Sequence, residues 1–183
     1  SSLEELRSAK NILEETKEDL RSQDVPFDES VQSGIMVEVP SAAILSDHFA
    51  RETDFFSIGT NDLIQYAVAV DRGNEKLSHL YSQYHPAVLR LIKTVLDNGT
   101  AAGIRVGMCG ESAGDPKLIP ILLGMGLTEF SMNPSSILRA RWILRNLRKS
   151  DLEEAASTAL SLATAEEVEE YCSGLLQSLN LCR

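Results

Sequence analysis

The chain reads as an α/β protein built on a parallel sheet, and three observations predict this. Short apolar runs bounded by turn residues alternate four times with longer segments of helical apolar spacing. The runs end abruptly in acid, amide or thiol side chains, at the edge of the sheet where such folds bind ligands. Proline and glycine punctuate the helical segments at their starts and stops. Repeated strand–helix alternation implies parallel strands joined by helical crossovers. A closed β/α barrel needs eight such units in about 250 residues, with about 200 near its lower limit. Four units in 183 residues fall short, so periodicity alone predicts an open α/β sheet in a single domain, residues 1–183.

Each element has a local reason. From Ser2 to Ser22, the apolar residues Leu3, Leu6, Ile12, Leu13 and Leu20 recur among Glu, Lys and Arg, a helix charged on its outer face. Asp24-Val-Pro-Phe-Asp28 breaks it, because proline disfavours helix in the residue before it. A first strand is expected from Ser33 to Glu38. Pro40 opens a helix over Ser41–Arg51, where its missing N–H costs little. A second strand covers Asp54–Ser57, followed by a helical turn near Asp62–Val68 and a loop at Asp71-Arg-Gly-Asn74. A long amphipathic helix runs from Pro86 to about Ala101, with Gly103 as its stop. The third strand is Arg105–Met108, a helix spans Pro116–Leu123, and the fourth strand is Leu127–Ser131. Helices at Pro134–Leu147, Leu152–Leu162 and Ala165–Leu179 complete the chain.

Composition narrows the function. An apolar fraction of 43% with 24% charged residues is that of a globular domain, not a disordered one. No apolar run reaches the ~18–20 residues a membrane span needs, and the acidic start Ser1-Ser2-Leu3-Glu4-Glu5 does not read as a secretory signal. A net charge of −10 disfavours nucleic acid and anionic membranes as partners. Three cysteines without paired spacing point to a reducing cytoplasm.

The strand ends carry the chemistry. Glu38 and Asp62, delivered from neighbouring strands, make a hard oxygen site suited to Mg²⁺. Spacing alone favours Glu38 as a solvated strand end and Asp62 as a helix N-cap before Leu63-Ile64. Asn61 offers an amide to an anion or serves as a turn residue. Gly59 admits a close backbone approach. Arg72 suits phosphate oxygens, or pairs with Asp71 or Asp62. Cys109 brings a thiol to the same rim, where it is a proton donor or a small packing residue. Arg105 lies at the opposite end of the sheet. Cys172, Cys182 and the histidines His48, His79 and His85 carry no mark of a nucleophile or metal ligand.

Five segments in order carry a resemblance: Gly34-Ile-Met-Val-Glu38, Asp54-Phe-Phe-Ser-Ile-Gly-Thr-Asn-Asp62-Leu-Ile-Gln-Tyr66, Ala69-Val-Asp-Arg-Gly-Asn74, Gly107-Met-Cys-Gly-Glu111, and Leu123-Gly-Met-Gly-Leu127 with Glu129-Phe-Ser-Met132. Together they resemble the phosphoenolpyruvate (PEP)-utilising enzymes, most closely the PEP–protein phosphotransferases that serve as enzyme I of bacterial sugar phosphotransferase systems. The resemblance implies a partial (β/α)8 TIM barrel, the last four units of a carboxyl-terminal PEP-binding domain, with extra helices at both ends. It implies Mg²⁺ on Glu38 and Asp62, substrate on Asn61, Asp62 and Arg72, and Cys109 as proton donor to the enolate of pyruvate. Glu111 is read as orienting its loop neighbours. The implied partners are PEP and pyruvate, a phospho-acceptor histidine domain, a downstream phosphocarrier protein and a second copy of the chain. The first barrel strands, source of the family's other basic clamp residues, are absent, so the chain alone is expected to be nearly inactive. Pyruvate phosphate dikinase, PEP synthase and a non-catalytic dimerisation module are the alternatives.

Overall fold

In the computed structural model, which describes residues 1–181, the expected alternation is present. Helix α1 (Leu3–Ser22) starts with a capping box: the Ser2 hydroxyl accepts from the Glu5 N–H, and the Glu5 carboxylate accepts from the Ser2 N–H. Leu3, Leu6, Leu13 and Leu20 share its half-buried face, whereas Ile12 is 63% exposed. Ile12 lies one residue, or about 100°, around from Leu13 and so leaves the packed stripe. Arg7 bonds the Glu52 carboxylate through Nε and Nη2, and the Lys10 ammonium donates to the Glu52 carbonyl, fastening α1 to the body. The basic residues Arg139, Arg141, Arg145, Arg148 and Lys149 are exposed. Among the described ion pairs, those of α1 run to Glu52, Glu29 and its own Glu14, not to this basic cluster.

Four parallel strands form one sheet in sequence order: β1 (Ile35–Val37), β2 (Phe55–Gly59), β3 (Arg105–Cys109) and β4 (Glu129–Phe130). The two edge strands are shorter than expected, having one neighbour each. Ser33 leaves the ladder to exchange bonds with Asp54, its N–H donating to the carboxylate and its carbonyl accepting the Asp54 N–H. Leu127 is likewise taken by a helix end: its N–H bonds the Leu122 carbonyl behind Gly126, whose φ is 111°. The inner strand β2 instead extends to Gly59, because it is paired on both sides.

The expected helix over Ser41–Arg51 divides into α2 (Pro40–Ile44) and α3 (Ser46–Phe49), parted by Leu45 at φ −91°, ψ 15°. Helix α4 (Thr60–Val68) follows β2 without a loop, and α5 (Pro86–Ala102) ends on Gly103 at φ 73°. The His85 side chain caps α5 by accepting the Ala87 N–H. Helix α6 (Ile119–Met125) begins later than Pro116, because Asp115 holds the intervening turn through the Lys117 N–H. Helices α7 (Pro134–Arg145), α8 (Glu153–Ser161) and α9 (Ala165–Ser178) follow. None of the described helices is long and apolar enough to cross a membrane.

The helices cover one face of the sheet. Val37, Phe56, Ile58, Val106 and Met108 are buried in one core with Leu89, Ile92, Ile121 and Leu122. The other face carries Met36, Ser57, Gly107 and Glu129 in one row of paired positions, and Met36 is 49% exposed. At Gly124 of α6, a Cβ would overlap the backbone carbonyl oxygen of Leu152. Gly124→Ala is therefore expected to destabilise the fold by about 1–3 kcal/mol, the usual cost of overpacking. A lowered urea midpoint at unchanged slope would report it.

Candidate functional site at the carboxyl rim of the sheet

All four strands run the same way, so their carboxyl ends meet on one rim. Glu38 follows β1, Asn61 and Asp62 lie in the first turn of α4, and Cys109 closes β3. The register sets Gly59 against Cys109. Glu38 reaches across to β2: a Cβ on Gly59 would sit 2.9 Å from the Glu38 Oε2 and 3.0 Å from its Cβ. Only glycine leaves that carboxylate its place, so the close approach expected at Gly59 is made to Glu38.

Two hydroxyls hold Cys109. The Thr60 Oγ1 donates to the Cys109 carbonyl at 3.0 Å, and the Ser57 Oγ donates to the Cys109 Sγ at 3.7 Å. Gly110 then turns at φ 104°, ψ −176°, a region that side chains avoid. A Cβ there would overlap the Thr60 Oγ1 and lie 3.1 Å from the Asn61 Oδ1. The Glu111 N–H points to the same Asn61 Oδ1 at 3.4 Å, which engages Asn61 through its oxygen and leaves the amide N–H pair for an anion.

Arg72 lies in the exposed loop after α4, its N–H bonded to the Gln65 Oε1 at 3.2 Å. Asp71 turns back onto the Gly73 N–H, and the described ion pairs include none between Arg72 and Asp71 or Asp62. Tyr81 feels the charges of this region. Burial pushes the Tyr81 phenol up, the Glu111 charge adds to that, Arg72 opposes it, and Asp62 adds a little more. The Tyr81 hydroxyl donates to the Asn61 carbonyl at 2.9 Å. A cleft of about 280 Å³ opens here, lined by Asn61, Tyr81, Tyr84, Glu111 and Glu169.

Tyr81 was not legible in sequence, and neither was the network behind it. The Tyr84 hydroxyl donates to the Asp115 Oδ2 at 2.6 Å, and Lys117 pairs with Glu169 of α9 at 2.8 Å. Burial, then the hydrogen bond to Asp115, pushes the Tyr84 phenol up, so it stays a donor. Cys172 is fully buried and its thiol is pushed up to about 12 by that burial, as its packing role predicts. Cys182 lies outside the described residues. His48 stands exposed on α3 within 3.7 Å of Asp47.

Glu38 and Asp62 are the carboxylates of this rim that could hold a divalent cation. No group of three or more His, Cys, Asp or Glu side chains suited to a metal exists among the described residues. Mg²⁺ does not need one, since it commonly takes one or two carboxylates and completes its shell with water and phosphate oxygens. The Gly59 cradle holds Glu38 over the strand that delivers Asp62.

Comparison with known proteins identifies the family. The family model described as "PEP-utilising enzyme, PEP-binding domain" matches residues 1–149. The phosphoenolpyruvate-protein phosphotransferase of Staphylococcus carnosus is 50% identical over 175 residues, covering 93% of this chain and 30% of that protein. Those of Priestia megaterium and Lactococcus lactis subsp. cremoris are each 52% identical, covering 93% and 91% of the chain and 30% of each relative. The chain thus spans about 30% of the length of the relatives it matches. With the family match running from α1 through α7, the chain belongs to the PEP-utilising enzymes, as their PEP-binding domain.

Proposed function

We propose that the chain is the catalytic half of a PEP-dependent protein phosphotransferase, which moves the phosphoryl group of PEP to a histidine on another domain and releases pyruvate. The observation that carries this reading is the meeting of Glu38, Asn61 and Cys109 on one rim, at the ends of three adjacent strands. Phosphoryl transfer is mainly positioning and charge neutralisation, and the side chains divide that work. Asn61, with its oxygen turned to the Glu111 N–H, presents its amide to the substrate. Arg72, from the loop after α4, supplies a cation and Cys109 a proton. Glu38 and Asp62 would hold Mg²⁺, which when bound neutralises phosphate charge.

The four-stranded sheet is read as the last four units of a TIM barrel, with α1 and α8–α9 as additions, so residues 1–183 are the second half of a barrel domain. Its support is the one-sided helical cover, which leaves the row Met36, Ser57, Gly107 and Glu129 facing where a barrel lumen would be. A second copy of the chain, a histidine-bearing domain and a phosphocarrier are the partners this reading needs. The name of the relatives, phosphoenolpyruvate-protein phosphotransferase, supports PEP as donor and a protein as acceptor. The unpaired thiols of Cys109 and Cys172 agree with a cytoplasmic setting.

Calorimetric titration with PEP, with and without Mg²⁺, tests the reading. The intact protein that carries this chain is expected to bind in a metal-dependent way. The chain alone is expected to show no binding, because two or three missing charged hydrogen bonds cost about 1.5–3 kcal/mol each. No binding by the intact protein overturns the reading, and micromolar binding by the chain alone overturns the need for a second half.

A further inference from the structure

Ser57 has no part in the chemistry described so far, yet it is the one side chain that reaches the Cys109 sulfur with a hydrogen-bond donor among the described residues. Two strand positions explain how. Side chains alternate along a strand, and the register pairs Ser57 with Gly107 and Gly59 with Cys109. Ser57 and Cys109 therefore share the open face as diagonal neighbours. Gly107, directly beside Ser57, has no side chain to stand between them, and the Glu129 carboxylate lies nearest to the space above it. On the other flank Ser57 faces Met36, which offers no strong acceptor. A half-buried hydroxyl here has the sulfur as its partner, and at 3.7 Å the contact suits a large, weak acceptor.

We propose that Ser57 is a positioning residue for Cys109, holding the sulfur as a hydrogen-bond acceptor so that the thiol proton is directed off the sheet toward the substrate. This rests on the reading of Cys109 as the acid. In that step the thiol proton passes to the methylene carbon of the pyruvate enolate. The enolate π pair forms the new C–H bond, and the S–H pair remains on sulfur as a thiolate. A thiol that donated its proton to Ser57 would point it along the sheet. A thiol that accepts from Ser57 keeps the proton for the substrate, and the thiolate left behind retains the same O–H donor. Thr60 fixes the backbone of the same residue through its carbonyl, so sulfur and main chain are held by separate hydroxyls three positions apart, one in β2 and one at the start of α4. The charged groups around the sulfur are Glu129 of β4, Arg105 at the foot of β3 and Glu38 beyond β1. Arg105 is engaged by Gln32 and lies over the Phe55 ring.

The test is the pH profile of Cys109 alkylation by iodoacetamide in this chain, followed by peptide mapping so that Cys172 and Cys182 are read separately. Ser57→Ala is expected to move the profile upward by about half to one pH unit. The rate below the midpoint then falls roughly three- to tenfold, the span of one hydrogen bond. Ser57→Thr, which keeps the hydroxyl, is expected to restore the profile, and Ser57→Gly replaces Ser57→Ala if the latter fails to fold. An unchanged profile in the variant without the hydroxyl, or no rescue by threonine, overturns the proposal. In the intact protein, Ser57→Ala should lower kcat for pyruvate formation and leave the KM for PEP unchanged, and a raised KM at constant kcat overturns it. Cys109→Ala at the wild-type rate would instead remove the acid, a separate failure that the alkylation profile does not share.

Discussion

Replacing Cys109 by alanine in the intact protein is expected to slow pyruvate formation by about 10²–10⁴-fold, the usual worth of a positioned acid. In the proposed reaction the thiol enters only after the phosphoryl group has left, so phosphorylation of the acceptor histidine in a single turnover should suffer less than steady-state pyruvate release. Cys109→Ser separates acid from packing. Serine keeps the small volume and accepts the Ser57 hydroxyl, but an alcohol is a far weaker acid than a thiol. If Cys109 only filled space on the open face, serine would restore the rate. If it is the acid, serine stays slow. A coupled assay of pyruvate release, run beside the single-turnover measurement, decides it, and a wild-type rate in Cys109→Ala would remove the residue from the mechanism.

Local signals made the elements legible, and tertiary contacts set what they missed. Pro86 and Gly103 bracket α5 because the constraints they impose, a fixed φ and a permitted φ of 73°, act within one or two residues. The rim positions of Glu38, Asn61, Asp62 and Cys109 were legible for a similar reason, since the end of a parallel strand announces the rim. The division at Leu45 was not, because an apolar run of that length carries no breaker of its own. Ile12 looked like part of the α1 stripe and is exposed, since the packed face is set by Leu3, Leu6, Leu13 and Leu20. Ser57 and Tyr81 act across the fold, on residues 52 and 20 positions away, and no local pattern encodes such a partner. The open sheet that periodicity implies and the barrel half implied by family resemblance differ only in what covers the row from Met36 to Glu129. That cover is not encoded in the strands themselves.

The second large effect concerns Glu38. In the intact protein, Glu38→Gln is expected to weaken Mg²⁺-dependent binding of PEP on the order of 10²–10³-fold, because a neutral amide is a poor ligand for a hard cation that contributes several kcal/mol of charge stabilisation. The substitution is close to isosteric, so the side chain can keep its place over Gly59. Glu38 stands in none of the described ion pairs, which lie on α1, α3, α5 and the Lys117–Glu169 contact. Its charge therefore does little for the fold, and the thermal midpoint should move by no more than a surface change does, about 0.5 kcal/mol in stability. Calorimetry at several Mg²⁺ concentrations separates the two roles. A loss of binding that excess Mg²⁺ partly restores marks a ligand, whereas an equal loss at every concentration marks a distorted rim. A side chain kept over a glycine cradle and outside every described ion pair, yet dispensable for metal-dependent binding, would leave Asp62 as the sole carboxylate for the cation and would undo the assignment of Glu38.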